Sequence, residues 1–505
     1  MSEEFNTMVI NSKVIAIKNQ QIDAIHSRPE VLQKLIENQG FHDSEIKKIN
    51  RIWEPGGGSS LFKLLCPAGD IFLKVKSSEI LVENRLECEK QFPTSSSLSN
   101  EWFFLTSLAS SGLPWVPKVF FYDEIDNFQF IGFEFLSSFH EQMSKMTIEH
   151  ILIAWTTIEA AVRHLYSNGI VHTDIHENNI CFRGSQPILI DFEEMRYLKQ
   201  EVPFQESLDV AGENKYGKVG EFPEGHSKFS GRTCLNRLKK VFQFELSSKL
   251  PKLLEKCHFD QGCQYNLDEL QEADARIYQS VSFDGTNIEG QRPLRDERLE
   301  LIDCLFRNIQ ISSKNIVHLD IGSNLGRFCI QASKIPRVLE SHGVEASSNY
   351  VLAAKAIAFV TESKNALFHN LVCGVDSIFN VCPNANIVTM LSVYHHISYK
   401  DYFLNDIKKL PIDYLIGEFA TQDRFYPERG TMNAELMHIG HELNLLHQTT
   451  ISISADYFRP IVLFSRYPIP TSLINKINVF TAGGAFRFTV KRIRSILSYI
   501  KSKVI

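Results

Sequence analysis

No two cysteines in this chain have metal-site or redox spacing. The ten cysteines are scattered, and the closest two, Cys257 and Cys263 with His258 beside them, make no Cys-x-x-Cys pair. A zinc ribbon or a disulfide framework is therefore not the expected architecture, and a reduced compartment is. Basic charge is also short, with 53 Lys and Arg against 59 Asp and Glu and a net charge of −6. Such a balance gives no general attraction to nucleic acid, so DNA is not an expected partner. No apolar run approaches the ~18–20 residues of a spanning helix. The opening Met1-Ser2-Glu3-Glu4 lacks the basic start of a signal peptide, which makes a cytoplasmic location the expectation. What remains is ordinary for a globular protein, 44% hydrophobic and 22% charged. The length suits about three domain-sized units, or two large ones.

Against this plain background one stretch carries chemistry. Gly169-Ile170-Val171-His172-Thr173-Asp174-Ile175-His176-Glu177-Asn178-Asn179-Ile180 reads as an apolar strand, a polar loop and a second strand, and Ile188-Leu189-Ile190-Asp191-Phe192-Glu193 returns a carboxylate at the end of a third. An Asp placed as a base, an Asn five residues on and an Asp closing an apolar strand form the constellation used in phosphoryl transfer. Asp174 takes the first role, while Asn179 and Asp191 are the candidate Mg²⁺ ligands. Upstream, Arg51-Ile52-Trp53-Glu54 leads into Gly56-Gly57-Gly58-Ser59-Ser60, and Ile71-Phe72-Leu73-Lys74-Val75 follows a turn at Pro67–Asp70. Gly56, Gly57 and Gly58 allow backbone N–H groups to approach phosphates closely, and Lys74 would pair with them. Glu101, opening the apolar-striped segment 99–108, is the candidate partner of Lys74, with Glu83 and Glu87 as alternatives. Glu134 lies in the segment 130–136, which resembles the adenine-binding hinge of kinase-like phosphotransferases.

These residues resemble the kinase-like phosphotransferases, and the form His-x-Asp-Ile-His-x-x-Asn is closer to the small-molecule and glycan branch than to the protein kinases. Thr173 and Glu193 stand where protein kinases usually have Arg and Gly. The resemblance implies a two-lobed domain over 46–262, with ATP and Mg²⁺ as cofactors and a small-molecule or glycan acceptor. Residues 1–45 are a lead-in with no assigned chemistry.

A second organisation follows. Val317-His318-Leu319-Asp320-Ile321-Gly322-Ser323-Asn324-Leu325-Gly326-Arg327-Phe328 reads as strand, Gly-rich turn and helix start, and Gly343-Val344-Glu345 ends the next strand nineteen residues after Gly326. That spacing suits a carboxylate accepting both ribose hydroxyls of a nucleoside cofactor. Further strands are expected at 366–368, 387–391 and 414–418, with a terminal pair at 450–454 and 460–465. The succession resembles the class I S-adenosylmethionine methyltransferases over 270–467. The competing NAD-binding fold would normally carry Gly-x-Gly-x-x-Gly, and position 324 is Asn. The resemblance implies an S-adenosylmethionine site at Asp320, Gly322, Asn324, Gly326, Glu345 and Leu391. His395 and His396, past the fourth strand, are either a general base or a cap that shapes the pocket. The Asn-Pro-Pro-Tyr type of tetrapeptide used in N-methylation is missing, which favours an oxygen acceptor. Arg292 and Arg295, in a run with Arg298, are either solvated or an anion clamp for an acceptor phosphate.

The last segment, 483–505, sets apolar residues at helical spacing among six Lys and Arg, with no acid after Gly483. It is expected to be a basic amphipathic helix that meets an anionic membrane surface, a glycan-assembly partner or the protein's own core. The fold class that follows is α/β and α+β: a two-lobed protein-kinase-like domain, a Rossmann-like methyltransferase domain and this helix. The pairing resembles the bifunctional kinase–methyltransferases that terminate bacterial O-antigen polysaccharides, with the domain order reversed. The rival function is a methyltransferase on RNA or a metabolite whose first domain only binds a ligand or partner.

Overall fold

The structure is a computed structural model. It describes residues 29–39, 49–53, 60–64, 70–77, 98–172, 175–192, 195–197, 231–260, 277–290, 292, 294, 297–311, 313, 315–391, 393–418, 438–453 and 460–475. The chain divides into two compact units, Met1–Glu245 and Leu246–Ile505.

The first unit begins with α1 (Pro29–Asn38), whose Pro29 occupies a first-turn position where a missing N–H costs nothing. Strands β1 (Ile49–Trp53), β2 (Ser60–Leu64), β3 (Ile71–Ser77), β4 (Val119–Ile125) and β5 (Phe128–Glu134) form one antiparallel sheet in the order β1-β2-β3-β5-β4. Side chains alternate across a strand, so β3 sends Leu73 and Val75 to one face and Lys74 to the other. Leu73 and Val75 bury against Val31 and Leu35 of α1 and against Phe121, Ile125, Phe128 and Phe130. The lead-in thus contributes a helix that covers one face of the sheet. Helix α2 (Leu98–Ala109) buries Leu98, Glu101, Phe104, Leu105 and Leu108, a spacing that forms one helical stripe with a carboxylate in its midst.

Past α3 (Phe139–Lys145), helix α4 (Ile148–Ser167) starts on Thr147, whose hydroxyl caps the His150 N–H, and buries an aliphatic face with Trp155. It ends at Gly169, φ +68°. The glycine allows the immediate reversal into β7 (Ile170–Val171), numbered after β6 (Ser137–Ser138). β7 pairs with β10 (Arg196–Tyr197), while β6, β8 (Ile180–Arg183) and β9 (Gln186–Leu189) make a three-stranded sheet. The loops leaving β7 and β9 carry the polar motif. Helix α5 (Gly231–Asp260) contains the boundary between the units.

The second unit opens with a hairpin, β11 (Val281–Phe283) and β12 (Thr286–Ile288), joined at Asp284 and Gly285, both at positive φ as a tight primed turn requires. After α6 (Glu297–Asn308) comes a seven-stranded sheet built from β13 (Ile316–Ile321), β14 (Val338–Glu345), β15 (Ala366–Asn370), β16 (Ile387–Leu391), β17 (Tyr414–Glu418), β18 (His447–Ile453) and β19 (Pro460–Ser465). Its order is β15-β14-β13-β16-β17-β19-β18, with the first five strands parallel and β19 antiparallel to both neighbours. Helices α7 (Arg327–Ala332), α8 (Ser348–Val360) and α9 (Lys400–Ile407) alternate with the strands. Both faces are buried. Leu319, Leu415, Val462 and Phe464 face the layer holding α9, whereas Ile316, Ile416, Ile461 and Leu463 face the layer holding α6 and Phe328 of α7. Strands buried on both sides read as continuous apolar runs, which is how β16 and β17 look in the sequence. The order reverses between β13 and β16, and ligands of open α/β sheets bind outside the carboxyl ends of strands at such a reversal.

Candidate functional sites

In the first unit the residues separated most widely in sequence come together around Lys74. Its Nζ lies 2.8 Å from Glu101 Oε2 on α2 and 2.6 Å from Asp191 Oδ1 beyond β9. Lys74 is 3% exposed and Glu101 1%. Glu101 Oε1 also accepts the backbone N–H of Phe192 at 3.1 Å, so one carboxylate holds both the lysine and the segment that carries Asp191. Asp191 itself has φ +65°, a conformation that costs a non-glycine residue energy and persists only when its surroundings over-determine it. Phe192, fully buried, packs edge-on against His172 at 5.2 Å, and the His172 ring bonds the Ile190 carbonyl through Nε2 at 3.1 Å. Asn179, 1% exposed, ends a single 3₁₀ turn begun at Glu177; its backbone oxygen accepts from Ile190 N and its N–H donates to His176 O. The loop carrying His172 and Asn179 and the strand carrying Asp191 are therefore stitched to one another.

Among the described residues no three His, Cys, Asp or Glu side chains converge as a ready metal cage. Asp191 and Asn179, the expected Mg²⁺ ligands, lie on segments joined by the Ile190 N–H to Asn179 carbonyl bond. Glu134 is committed elsewhere: its carboxylate pairs with Arg183, whose Nε lies 2.9 Å away, and accepts the Lys118 N–H. Its own N–H is taken as well, by the Lys118 carbonyl at 2.9 Å, so neither the carboxylate nor that donor is available to a nucleotide. Gly56, Gly57, Gly58 and Asp174 lie outside the described residues, as do Arg295 and the segment 483–505.

In the second unit the loop after β13 is held by close approach. Gly322 and Gly326 have φ of +72° and +74°, and Asn324 between them has +51°. A Cβ on Gly322 would sit 2.6 Å from Val393, and one on Gly326 2.3 Å from the Phe368 ring. Both N–H groups of Gly322 and Ser323 donate to the Val344 carbonyl, and the Asn324 N–H donates to Glu345 Oε2 at 3.0 Å. Glu345 Oε1 accepts from Ser347 N at 3.1 Å. Its carboxylate is thus aimed by two backbone donors, and a carboxylate with about four lone-pair sites keeps acceptor capacity for hydroxyls. The side-chain oxygens of Ser323 and Asn324 are buried without a hydrogen-bond partner.

Asp320, 2% exposed, is the penultimate residue of β13, just before this loop. Thr389 donates its hydroxyl to Asp320 Oδ1 at 2.5 Å, and His318 bridges Thr389 Oγ1 at 2.9 Å and Ser341 Oγ at 2.7 Å. Burial pushes the Asp320 carboxyl up to about 7, against opposing contributions from the Thr389 hydrogen bond and the Arg298 charge, with Glu345 adding to the rise. Burial pushes His318 down to about 3, so the imidazole is neutral. Leu391 ends β16, half-buried. The next residues form a 3₁₀ turn, Tyr394–His396, in which Tyr394 is buried and His396 exposed. Lys400 Nζ lies over the Tyr394 ring at 4.5 Å. The His395 side chain is outside the described set.

Arg292 is not a solvated surface residue. It is 4% exposed, donates from Nε to Tyr278 Oη at 3.2 Å and stands over that ring at 5.5 Å. Arg298 is buried too, in an ion pair with Glu418 at 3.0 Å and above the Phe328 ring. Sequence reading missed Glu418, Gln279 and the His318–Thr389 pair. A His and a Thr at inward positions of otherwise apolar strands were the available signal.

No family model and no curated protein matches this chain. Among solved structures it is similar to EvdMO1, at 11% identity and a TM-score of 0.29 over 39% of this chain and 46% of that one. It is similar to monomeric WbdD, at 19% identity and a TM-score of 0.30 over 40% and 49%. It is also similar to a SAM-dependent methyltransferase from Aquifex aeolicus, at 14% identity and a TM-score of 0.27 over 34% and 92%. The N-terminal domain of EvdMO1 has been solved with SAH bound, and WbdD with the kinase inhibitor LY294002. The chain spans about half the length of EvdMO1 and WbdD.

Proposed function

We propose that this chain is a two-site transferase. The first unit transfers a phosphoryl group from ATP, with Mg²⁺, to a hydroxyl of a small molecule or glycan, and the second methylates that product or the same acceptor from S-adenosylmethionine. The reading extends to capping of a bacterial surface polysaccharide. The observation that carries the phosphoryl half is the Lys74–Glu101–Asp191 cluster, joined across 27 and 117 positions of sequence. What supports the reading is a buried cation with a partly exposed carboxylate beside it. In this mechanism Lys74 binds phosphate oxygens, Asp191 and Asn179 hold Mg²⁺, and Asp174 orients or deprotonates the acceptor hydroxyl. Mg²⁺ supplies charge neutralisation on the phosphates.

The methyl half rests on the sheet reversal, the glycine-lined loop and Glu345. Gly322 and Gly326 keep side chains out of the cradle, and the buried, unpartnered oxygens of Ser323 and Asn324 are groups a polar cofactor could satisfy. Glu345 would accept the ribose hydroxyls. The sheet order is that of the class I methyltransferase fold. A phosphomonoester acceptor is already anionic near neutral pH, so its oxygen can attack the methyl group without a general base. No role is then required of His395 or His396.

Thermal shift on the full chain separates the readings, since a ligand that binds only the folded state raises the melting temperature. Stabilisation by ATP·Mg²⁺ and, separately, by S-adenosylmethionine supports both sites. Stabilisation by the methyl donor alone leaves a methyltransferase on RNA or a metabolite, with the first unit as a binding module.

A further inference from the structure

At the end of the second unit opposite the Gly322–Gly326 loop, the sheet carries a cavity of about 360 Å³. The amino ends of the parallel strands lie there. Strand β17 puts five residues, roughly 16 Å, between this cavity and the carboxyl end that carries Glu418. A volume of this size is one that small ligands occupy. Its floor is apolar: Ile407 ends α9, Leu410 and Ile412 lead into β17, and Leu443 follows the helical segment 438–442, all four buried in the core. Its rim is polar, made by Lys408, His441, Glu442, Asn444 and Arg466.

Local structure fixes this rim. The helical segment 438–442 ends in a reversal at Asn444, φ +55°, whose N–H donates to His441 O while Leu445 N donates to Gly440 O. Two such bonds around a left-handed residue make a Schellman-type end, which Asn tolerates, and they set His441 and Glu442 at the mouth. From the other side, Arg466 directly follows β19, its N–H held by Asp413 O at 3.0 Å. The charges around the mouth do not cancel. Glu442 pairs with Lys408, whose hydrogen bond holds that carboxyl below its usual range, so the acid is ionised and already matched by a cation. The Arg466 guanidinium has no hydrogen-bond or ion-pair partner among the described residues. His441, 85% exposed, adds a further cation as it protonates.

We infer that this cavity is a ligand site separate from the Gly322–Glu345 region, one that takes a small molecule with an acidic group on an apolar body. The body lies on Ile407, Leu410, Ile412 and Leu443, and the Arg466 guanidinium receives the acid. Its planar fork suits a carboxylate, a sulfonate or a phosphate ester alike. A neutral apolar molecule leaves that cation unmatched, and a wholly polar anion leaves the floor without cover. The assignment stands apart from the methyl-donor reading, because none of its residues belongs to the glycine-lined loop or to Glu345.

Fluorescence titration of the full chain tests this with two probes that share one aromatic body, 8-anilinonaphthalene-1-sulfonate and its uncharged analogue N-phenyl-1-naphthylamine. The sulfonate should bind the wild-type chain saturably and stay bound when S-adenosylhomocysteine is added. Arg466→Gln should weaken the sulfonate about two- to fivefold, the worth of one ion pair at a solvent edge, and leave the uncharged probe unchanged. His441→Glu changes a side chain too exposed to matter for folding, and it should weaken the sulfonate in the same way. Unchanged sulfonate affinity in both variants overturns the assignment. Equal weakening of both probes by Arg466→Gln also overturns it, because the arginine would then act through packing. Absence of saturable sulfonate binding, or its displacement by S-adenosylhomocysteine, refutes a separate site at this end of the sheet.

Discussion

Replacing Lys74 by Met should destabilise the first unit, and adding a second substitution should restore part of the loss. The lysine is enclosed with Glu101 at 2.8 Å, and neither side chain is more than 3% exposed. Removing one partner of a buried ion pair strands the other, a cost of about 3–5 kcal/mol. Asp191 is a quarter exposed and keeps water, so the burden falls on Glu101. In Lys74→Met/Glu101→Leu the stranded charge is gone. The remaining defect is the Phe192 N–H, which loses its acceptor and should cost about 1–3 kcal/mol. The double variant is therefore expected to be more stable than Lys74→Met alone.

The chain offers a clean reporter for this comparison. All four tryptophans, Trp53, Trp102, Trp115 and Trp155, belong to the unit Met1–Glu245. Urea unfolding of the full chain followed by tryptophan fluorescence thus reads the first unit, with stability differences taken at a common slope. Neither variant should be stabilised by ATP·Mg²⁺, because both lack the phosphate-binding cation. If Glu101→Leu instead adds its own loss on top of Lys74→Met, the two side chains are energetically independent. The buried pair at the centre of the phosphoryl half would then be refuted.

Other outcomes follow from single groups. Burial raises the Asp320 carboxyl from 3.8 to about 7, so the folded state holds its proton more tightly than the unfolded one. Stability should then fall as pH rises from the ordinary carboxyl range through about 7, and Asp320→Asn should flatten that decline in calorimetric melts at pH 5 and pH 8; equal pH dependence in variant and wild type would count against it. Gly326→Ala puts a Cβ 2.3 Å from Phe368 at φ +74° and should cost about 2–5 kcal/mol while abolishing S-adenosylhomocysteine binding, as melts and calorimetry would read. Asp174→Asn should lower phosphorylation by ~10²–10⁴-fold with ATP binding kept, and near-wild-type turnover would remove Asp174 from the mechanism. The basic segment 483–505 should float with anionic vesicles at low salt only, since each charge adds about 1 kcal/mol at such a surface, and cutting at Gly483 should end the association.

The elements that sequence reveals here are those whose pattern is local. Continuous apolar runs located β16 and β17 to the residue, because strands buried on both faces need no partner to be recognised. The Lys74–Glu101 pair was legible through its motif, since a helix stripe that includes a carboxylate needs a buried cation. Glu134 was not legible, for its partner Arg183 lies 49 residues away in a different sheet and nothing in either segment announces it. The role of α1 was hidden for a similar reason. Val31 and Leu35 make only two apolar contacts' worth of pattern, and their burial depends on strands β3 to β5 being present. The β11–β12 hairpin did carry a local signal, Asp284-Gly285, and the short flanking strands made it easy to pass over.

The hydrogen bonds of the buried polar chain beside the Gly322–Gly326 loop fix where each proton lies. Ionised Asp320 can only accept, so the Thr389 hydroxyl donates to its Oδ1, while Cys329 Sγ reaches its Oδ2 at 4.0 Å. Thr389 Oγ1 must then accept from His318 Nε2–H, and the neutral imidazole keeps Nδ1 as an acceptor for the Ser341 hydroxyl. Every hydrogen in the chain is thereby assigned, and His318 is held in a single tautomer. Protonated Asp320 can instead donate to Thr389, which reverses each step and moves the imidazole proton to Nδ1. The same heavy-atom positions therefore serve two proton arrangements. A buried carboxyl poised near 7 can thus change its charge with Asp320, Thr389 and His318 paired throughout, while the Ser341 hydroxyl turns its hydrogen away from the imidazole.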